Sequence, residues 1–204
     1  MKVAIIGAGN VGKALATSLI RAGHDVALSA STPESTRAAA DAVGATAATS
    51  NTAAASNADV TILAVPYVAA GQAVAQEIGA AVAGRIVIDA TNPIKADYSG
   101  LATNARSGAE ELQARLGGAN VIKAFNTIFA ANQANPTASI DGYVAGDDAK
   151  AKATVMGLVE SMGFAPVDVG PLSAARQLEG MAWLNIGLNA SHGWGWTSAW
   201  RLDR

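Results

Sequence analysis

Short aliphatic runs recur along this chain, and most are followed by segments with apolar residues three and four apart. Residues 3–6 read as a first strand, stopped at Gly7. Residues 11–22 carry an apolar stripe of Leu15, Leu19 and Ile20, which predicts a helix ended by Gly23. Residues 26–29 form a second strand. Pro33, after Ser31 and Thr32, opens a second helix that closes at Gly44. A short segment, 46–48, predicts a third strand. Residues 60–65 are almost wholly apolar and are stopped by Pro66, as in a buried strand; a helix follows over 68–82. Strand 86–88 leads into 91–107, where Asn92, Pro93, Gly100 and Asn104 predict a long loop. Loops of that length inside a compact domain are usually functional. Helix 109–116, strand 121–125, a short helix or turn from Ile128, strand 143–145, helix 149–162 and strand 166–169 complete the alternation. Pro171 opens a terminal helix, and the tail beyond it holds Trp194, Trp196 and Trp200.

Strands alternating with helices predict an α/β fold. The expectation is a Rossmann-like, doubly wound, mostly parallel sheet covered on both faces, with a small C-terminal helical addition. Residues 1–170 are expected to form the nucleotide-binding domain. Residues 171–204 are expected to form a helix and aromatic tail packed on it.

Composition narrows the function. Half of the residues are hydrophobic and only 15% are charged, which excludes a disordered chain. The net charge of −2 lacks the basic footprint of a nucleic-acid binder. There is no cysteine, so disulfides, thiolate nucleophiles and Cys-ligated metals are excluded. With His24 and His192 as the two histidines, a histidine-rich metal site is not expected. No uninterrupted apolar run is long enough for a membrane span, and the N-terminus lacks the pattern of a signal peptide. The expectation is a soluble cytoplasmic protein.

Gly7-Ala8-Gly9-Asn10-Val11-Gly12 is a G-x-G-x-x-G motif in its required setting, after a strand and at the opening of a helix. Gly7 permits the tight turn, Gly9 a close approach of the backbone to a pyrophosphate, and Gly12 the packing of helix on strand. Asn10 and Val11 lie at the helix N-terminus, whose free N–H groups face the phosphates.

Coenzyme choice is read from the end of the second strand. NAD-specific sites usually place Asp or Glu there, on the ribose 2′-hydroxyl. Here no carboxylate lies between Asp25 and Glu34, while Ser29, Ser31 and Thr32 offer hydroxyls and Arg37 is the nearest cation. This favours NADP(H). Ser31 or Thr32 is equally suited to cap the second helix, and the two roles can coexist.

In open α/β sheets ligands lie beyond the carboxyl ends of the strands. That rule places Val65 and Pro66, Asn92, and the segment Asn126, Thr127, Ile128 around the cofactor. Asn92 and Asn126 suit either a carboxamide or ribose contact, or simple turn formation. His192 offers a donor to an acceptor ring or stands as a surface residue, and His24 reads as structural. Lys123 reads as a salt-bridged lysine at a sheet edge. Asp147 and Asp148 suit a helix N-terminus rather than a metal. The late tryptophans suit a stacking platform or a dimer contact.

The chain resembles the small NADP-dependent oxidoreductases that reduce or oxidise the deazaflavin coenzyme F420. The resemblance rests on MKVAIIGAGNVGKALA, AVPYVAA, VIKAFNTIFAA, VAGDDAKAK and VDVGPLSAARQLEGMAWL, and it covers nearly the whole chain. The reductase domain of certain membrane metalloreductases looks related as well. The resemblance implies hydride exchange between the nicotinamide and the deazaflavin ring of F420, stacked face to face, often in a homodimer; a flavin (FMN or FAD), a quinone or another acceptor stays open beside it. It maps the phosphate loop to Gly9, Asn10 and Val11, and the 2′-phosphate region to Ser31 and Thr32. It maps the nicotinamide walls to Val65, Pro66, Ala70 and the segment from Asn126 to Ala130, and the second ring to the surroundings of Trp194. Where that family often carries an arginine after the second strand, this chain has Ser31. A non-catalytic NADP(H) sensor with the same fold is the alternative, because fold alone does not decide function.

Overall fold

Strands with aliphatic side chains on both faces need helices on both faces. The computed structural model, which describes residues 1–203, meets that need with one eight-stranded sheet. The strands are β1 (Lys2–Ile6), β2 (Asp25–Ser29), β3 (Thr46–Ala47), β4 (Val60–Leu63), β5 (Ile86–Asp89), β6 (Asn120–Ala124), β7 (Asp141–Gly146) and β8 (Ala165–Asp168). Their order across the sheet is β3-β2-β1-β4-β5-β6-β7-β8. The first six strands are mutually parallel, β7 runs antiparallel to β6, and β8 runs parallel to β7.

Register builds the core in rows. Leu28, Ile5, Ile62, Ile88 and Ile122 are successive cross-strand partners on one face. They pack with Leu15 and Leu19 of α1 (Asn10–Arg21) and with Val155 and Leu158 of α8 (Ala149–Ser161). The residues flanking that row, among them Ile6, Leu63, Val87 and Val121, point to the other face. There they meet Leu112 and Leu116 of α6 (Gly108–Leu116) and Ala175 of α9 (Ala175–His192).

Local chemistry sets most helix starts. Thr32 and Ser35 form a capping box on α2 (Pro33–Val43), with Pro33 in its first turn and Gly44 at φ 76° closing it. Ser50 caps α3 (Asn51–Ser56), Ser107 and Glu110 box α6, and Asp148 caps α8. The helix expected over 68–82 is interrupted. It comprises α4 (Tyr67–Ala69), a π-helical stretch (Ala70–Val74) and α5 (Ala75–Ile78). Gly71 lies in the π-helical stretch, where the guanidinium of Arg115 on α6 comes close to its Cα. The segment expected as a loop is irregular, apart from an isolated bridge between Ile94 and Leu101.

The connection from β6 to β7 carries the five-residue α7 (Ala130–Ala134) and packs it on α1 instead of crossing the sheet. β7 therefore starts at the end where β6 stops, which makes that pair antiparallel. After β8 a short 3₁₀ turn (Leu172–Ala174) leads into α9. The tail folds back along α9. Asn189 Nδ2 donates to Ser198 Oγ at 2.6 Å, Asn132 Nδ2 to the Thr197 carbonyl at 2.9 Å, and Asp141 N–H to the Trp200 carbonyl at 3.1 Å.

Two glycines of the first turn are required by the fold itself. Gly7 has φ 118°, and a Cβ there would collide with the Ala64 carbonyl. A Cβ on Gly12 would collide with the Gly7 carbonyl. Gly7→Ala and Gly12→Ala should each cost about 1–3 kcal/mol or more. Thermal unfolding should show both variants melting well below wild type, and an unchanged midpoint for Gly12→Ala would refute this packing.

Candidate functional site

Gly9 behaves differently from its two neighbours. A Cβ there meets no atom within 4 Å, and its φ of −73° is open to any residue. Nothing within the protein therefore demands glycine at this position. Gly9 is also the N-cap of α1 and contributes no side-chain cap, unlike the cap residues of α2, α3, α6 and α8. The first intrahelical bond runs from Lys13 N–H to the Gly9 carbonyl at 3.0 Å, so the N–H groups of Asn10, Val11 and Gly12 precede the helical ladder. The residues present fit a pyrophosphate, since an uncapped helix start lies beside a backbone left bare. Val65 packs over Gly7 from the end of β4. Pro66 lies exposed beside it, and Ala70 is buried at the start of the π-helical stretch.

At the end of β2 the three hydroxyls have separate duties. Ser29 is buried and donates to Asn51 Oδ1 at 2.7 Å, which engages its proton. Thr32 caps α2 by accepting from Ser35 N–H at 3.1 Å. Ser31 is exposed. Arg37 reaches back to Glu34 in the first turn of α2 at 3.3 Å, so a cation and an anion share the lip of this region.

Beyond the ends of β5 and β6 lies a cavity of about 200 Å³. Its walls include Val11 of α1, Asn92, Phe125 to Ala130, Gln133 of α7, and Ala182, Asn185 and Ile186 of α9. Through Val11 it adjoins the glycine turn. Two asparagines brace it. Asn92 Nδ2 donates to the Asn126 carbonyl at 3.0 Å, and Asn126 Nδ2 donates to Asn92 Oδ1 at 2.9 Å and to the Leu178 carbonyl at 3.0 Å. Gln133 Nε2 donates to the carbonyls of Phe125 and Ile128 at 3.0 and 2.9 Å. With both amide nitrogens committed, Asn126 Oδ1 and Gln133 Oε1 are buried without a hydrogen-bond partner. Buried acceptors of this kind are costly unless something donates to them. Phe125 turns the chain into the site at φ 67°, a strained conformation for an aromatic residue.

Behind the cavity sits a buried charge cluster. Lys123 Nζ donates to Asp89 at 2.9 Å, to the Thr91 carbonyl at 2.7 Å and to Glu179 at 3.1 Å, and all three charged side chains are buried. Asp89 and Lys123 are register partners on adjacent central strands. The expectation of a salt bridge at Lys123 is met, but not at a sheet edge. Glu179 also accepts from the N–H groups of Gly108 and Ala109, the first residues of α6, at 3.1 and 3.4 Å. Burial pushes its carboxyl up from the ordinary glutamate value, opposed by the Lys123 charge and the Gly108 N–H bond. The Tyr67 phenol donates to Glu111 at 2.5 Å, and burial and that bond push its ionisation upward.

The structure thus gathers Val11, Asn92, Asn126, Thr127, Ile128 and Ala130 around one cavity. His192 and Trp194 do not line it. Their rings stack on each other at 5.0 Å, with Trp194 exposed on the tail. It is Trp196 that packs edge-on against Phe129, at 5.5 Å. His24 binds the N-terminus and Ser161 at the opposite end of the sheet. A larger depression of about 640 Å³ beside β3, which includes Lys2, His24, Asp25, Thr46 and Asn57, lies at the end of the sheet away from the glycine turn. Gln133, Asn185 and Glu179 escaped the sequence reading, since an amide or acid within a helix carries no spacing signal of its own.

The family model for NADP oxidoreductases, coenzyme F420-dependent, matches residues 2–93. Over 185 residues, 87% of this chain, the sequence is 32% identical to metalloreductase STEAP3 of Rattus norvegicus. That match takes in 36% of STEAP3, so the chain spans about a third of this relative's length. A protein of Arthrobacter sp. FB24, assigned as an F420-dependent NADP-reductase, superposes over the full length of both chains with a TM-score of 0.90 and 26% identity. The hypothetical protein SMa0349 of Sinorhizobium meliloti has a TM-score of 0.76 and 34% identity, covering 85% of this chain and 87% of its own. No helix of the described residues is long and apolar enough to cross a membrane.

The raised carboxyl of Glu179 gives a pH signature. A raised acid contributes its full stability below the ordinary glutamate value, about pH 4.3, and loses it as pH rises through the raised value. Glu179→Gln removes this contribution. Thermal midpoints measured from about pH 4 to pH 8 should show wild type losing ground to the variant as pH rises, and parallel curves would contradict it.

Proposed function

We propose, for a chain that belongs to the family of coenzyme F420-dependent NADP oxidoreductases, that it transfers a hydride between NADP(H) and a flat heterocyclic acceptor, F420 or a flavin. One observation carries this reading. Asn126 and Gln133, whose amide oxygens are buried without partners, are among the residues lining a cavity that shares Val11 with an uncapped glycine turn. A nicotinamide carboxamide brings two N–H donors on one nitrogen, which suits two unpaired acceptors. Gly9, Asn10 and Val11 would hold the pyrophosphate. Ser31, Thr32 and Arg37 would receive the 2′-phosphate.

When bound, the coenzyme supplies the hydride, and the protein supplies orientation and a dry enclosure. None of the described lining residues is ionisable, which suits a transfer that depends on placement and not on side-chain acid–base steps. Ile128, Phe129, Ala182 and Ile186 provide apolar walls, and Asn126 and Gln133 would orient the ring through its carboxamide. Thr127 stands on the acceptor side of this reading. The tail, with Trp196 against Phe129, offers an aromatic margin for a second flat ring.

We also propose a homodimer through the outer face of α9. Leu184 is 53% exposed there, with Gly180 and Gly187 on the same helical face. Sedimentation should give twice the chain mass, and a monomer would overturn this assembly.

Purified protein mixed with NADPH should oxidise it when F420, FMN or FAD is added, followed by loss of nicotinamide absorbance, with NADH and a quinone as comparisons. Failure with every flat heterocycle would overturn the acceptor class. Gly9→Val should leave the thermal midpoint near wild type yet weaken NADPH binding at least about a hundredfold. Retained binding would remove the pyrophosphate from this turn.

A further inference from the structure

Glu179 does not line the cavity, yet two routes tie it there. Its carboxylate meets Lys123 Nζ, which also donates to the Thr91 carbonyl. Thr91 precedes Asn92, and Asn92 and Asn126 are bonded in both directions. On the other side, Leu178 is the neighbour of Glu179 on α9, and its carbonyl accepts from Asn126 Nδ2 at 3.0 Å. Asn126 is held from β5 and from α9, and both holds lead back to the contact between Lys123 and Glu179. An amide is planar. Pinning Nδ2 between Asn92 Oδ1 and the Leu178 carbonyl therefore decides where the unpaired Oδ1 points.

The cluster is poorly suited to stability alone. One ammonium faces two carboxylates, all removed from water, and the N–H groups of Thr91 and of the start of α6 provide further compensation. Well-packed apolar residues in place of buried ions often serve stability equally well or better. The ionic contacts add to the packing a directional constraint between α9, β5 and β6.

We infer that Lys123 and Glu179 are positioning residues, whose buried contact sets the Asn92–Asn126 amide pair and thereby the orientation of a carboxamide-bearing ring in the cavity. This rests on the cavity being the nicotinamide pocket.

The test compares two ligands, NADPH and 2′,5′-ADP, which lacks the nicotinamide and cannot reach Asn126. Glu179→Gln preserves shape and an acceptor for α6 while removing the charge. It should weaken NADPH about tenfold and leave 2′,5′-ADP within about twofold. In an Asn126→Ala background the same substitution should have no further effect on NADPH, because its action passes through Asn126. Lys123→Arg, which keeps the charge and changes the reach, provides a second arm should Glu179→Gln fold poorly, and the same pattern is expected. Equal loss of both ligands, or additive effects in the double variant, would overturn the positioning role. Wild-type protein that binds NADPH no more tightly than 2′,5′-ADP would instead overturn the nicotinamide assignment of the cavity.

Discussion

A full positive charge buried among central strands constrains everything around it. Lys123 cannot be solvated where it lies, so Asp89, Glu179 and the Thr91 carbonyl must all reach it. That requirement fixes the neighbouring ends of β5 and β6 and anchors α9 across them. It also brings the start of α6 into contact, because Glu179 needs the Gly108 and Ala109 N–H groups as well as the lysine. Gly108 leaves room for this approach, since a Cβ there would press on Tyr67 and on Glu179 itself. Removing one partner from such a cluster typically costs about 3–5 kcal/mol, comparable with much of a domain's net stability.

The crevice follows from this anchoring. The change of strand order between β1 and β4 opens a gap beyond the strand ends, where Gly9 and Asn10 are exposed. The cavity begins at Val11 and is closed on its far side by α9 and the strained turn at Phe125. A left-handed aromatic residue costs roughly 1–3 kcal/mol and persists only when its surroundings hold it. Here Gln133 Nε2 and the Ile128 N–H both donate to the Phe125 carbonyl, so the strain is held by the same segment that carries Asn126.

The two ends of the crevice have opposite chemistry. At the end of β2 the surface is exposed and rich in hydroxyls, with Arg37 balanced by Glu34. This suits a solvated phosphate group. At the end of β6 the lining is apolar apart from amides and one threonine, and the tail adds aromatic rings. This suits a flat neutral ring. The tail keeps that character because Asn132, Asn185 and Asn189 clasp its backbone and Ser198 to the helices.

The α/β class was legible along the chain because aliphatic period and glycine punctuation are local properties. Residues 3–6, 26–29 and 60–65 announce buried strands, and Gly7, Gly9 and Gly12 announce the tight turn into the first helix. Asn92 and Asn126 were visible as strand-end residues, but their mutual bonds were not. The antiparallel turn of β7 depended on α7 packing against α1, a contact between segments far apart in sequence. Whether Lys123 lay at an edge or in the centre depended on strand order, which no local pattern encodes. Gln133 and Glu179 became site residues only through burial, since an amide or a carboxylate acquires its meaning from what surrounds it. Local residue order is enough for the fold class and the glycine turn, because those arise from short-range sterics and periodicity. Tertiary structure alone decided the charge cluster, the unpaired amide oxygens and the course of the aromatic tail, because each depends on which distant groups are brought out of water together.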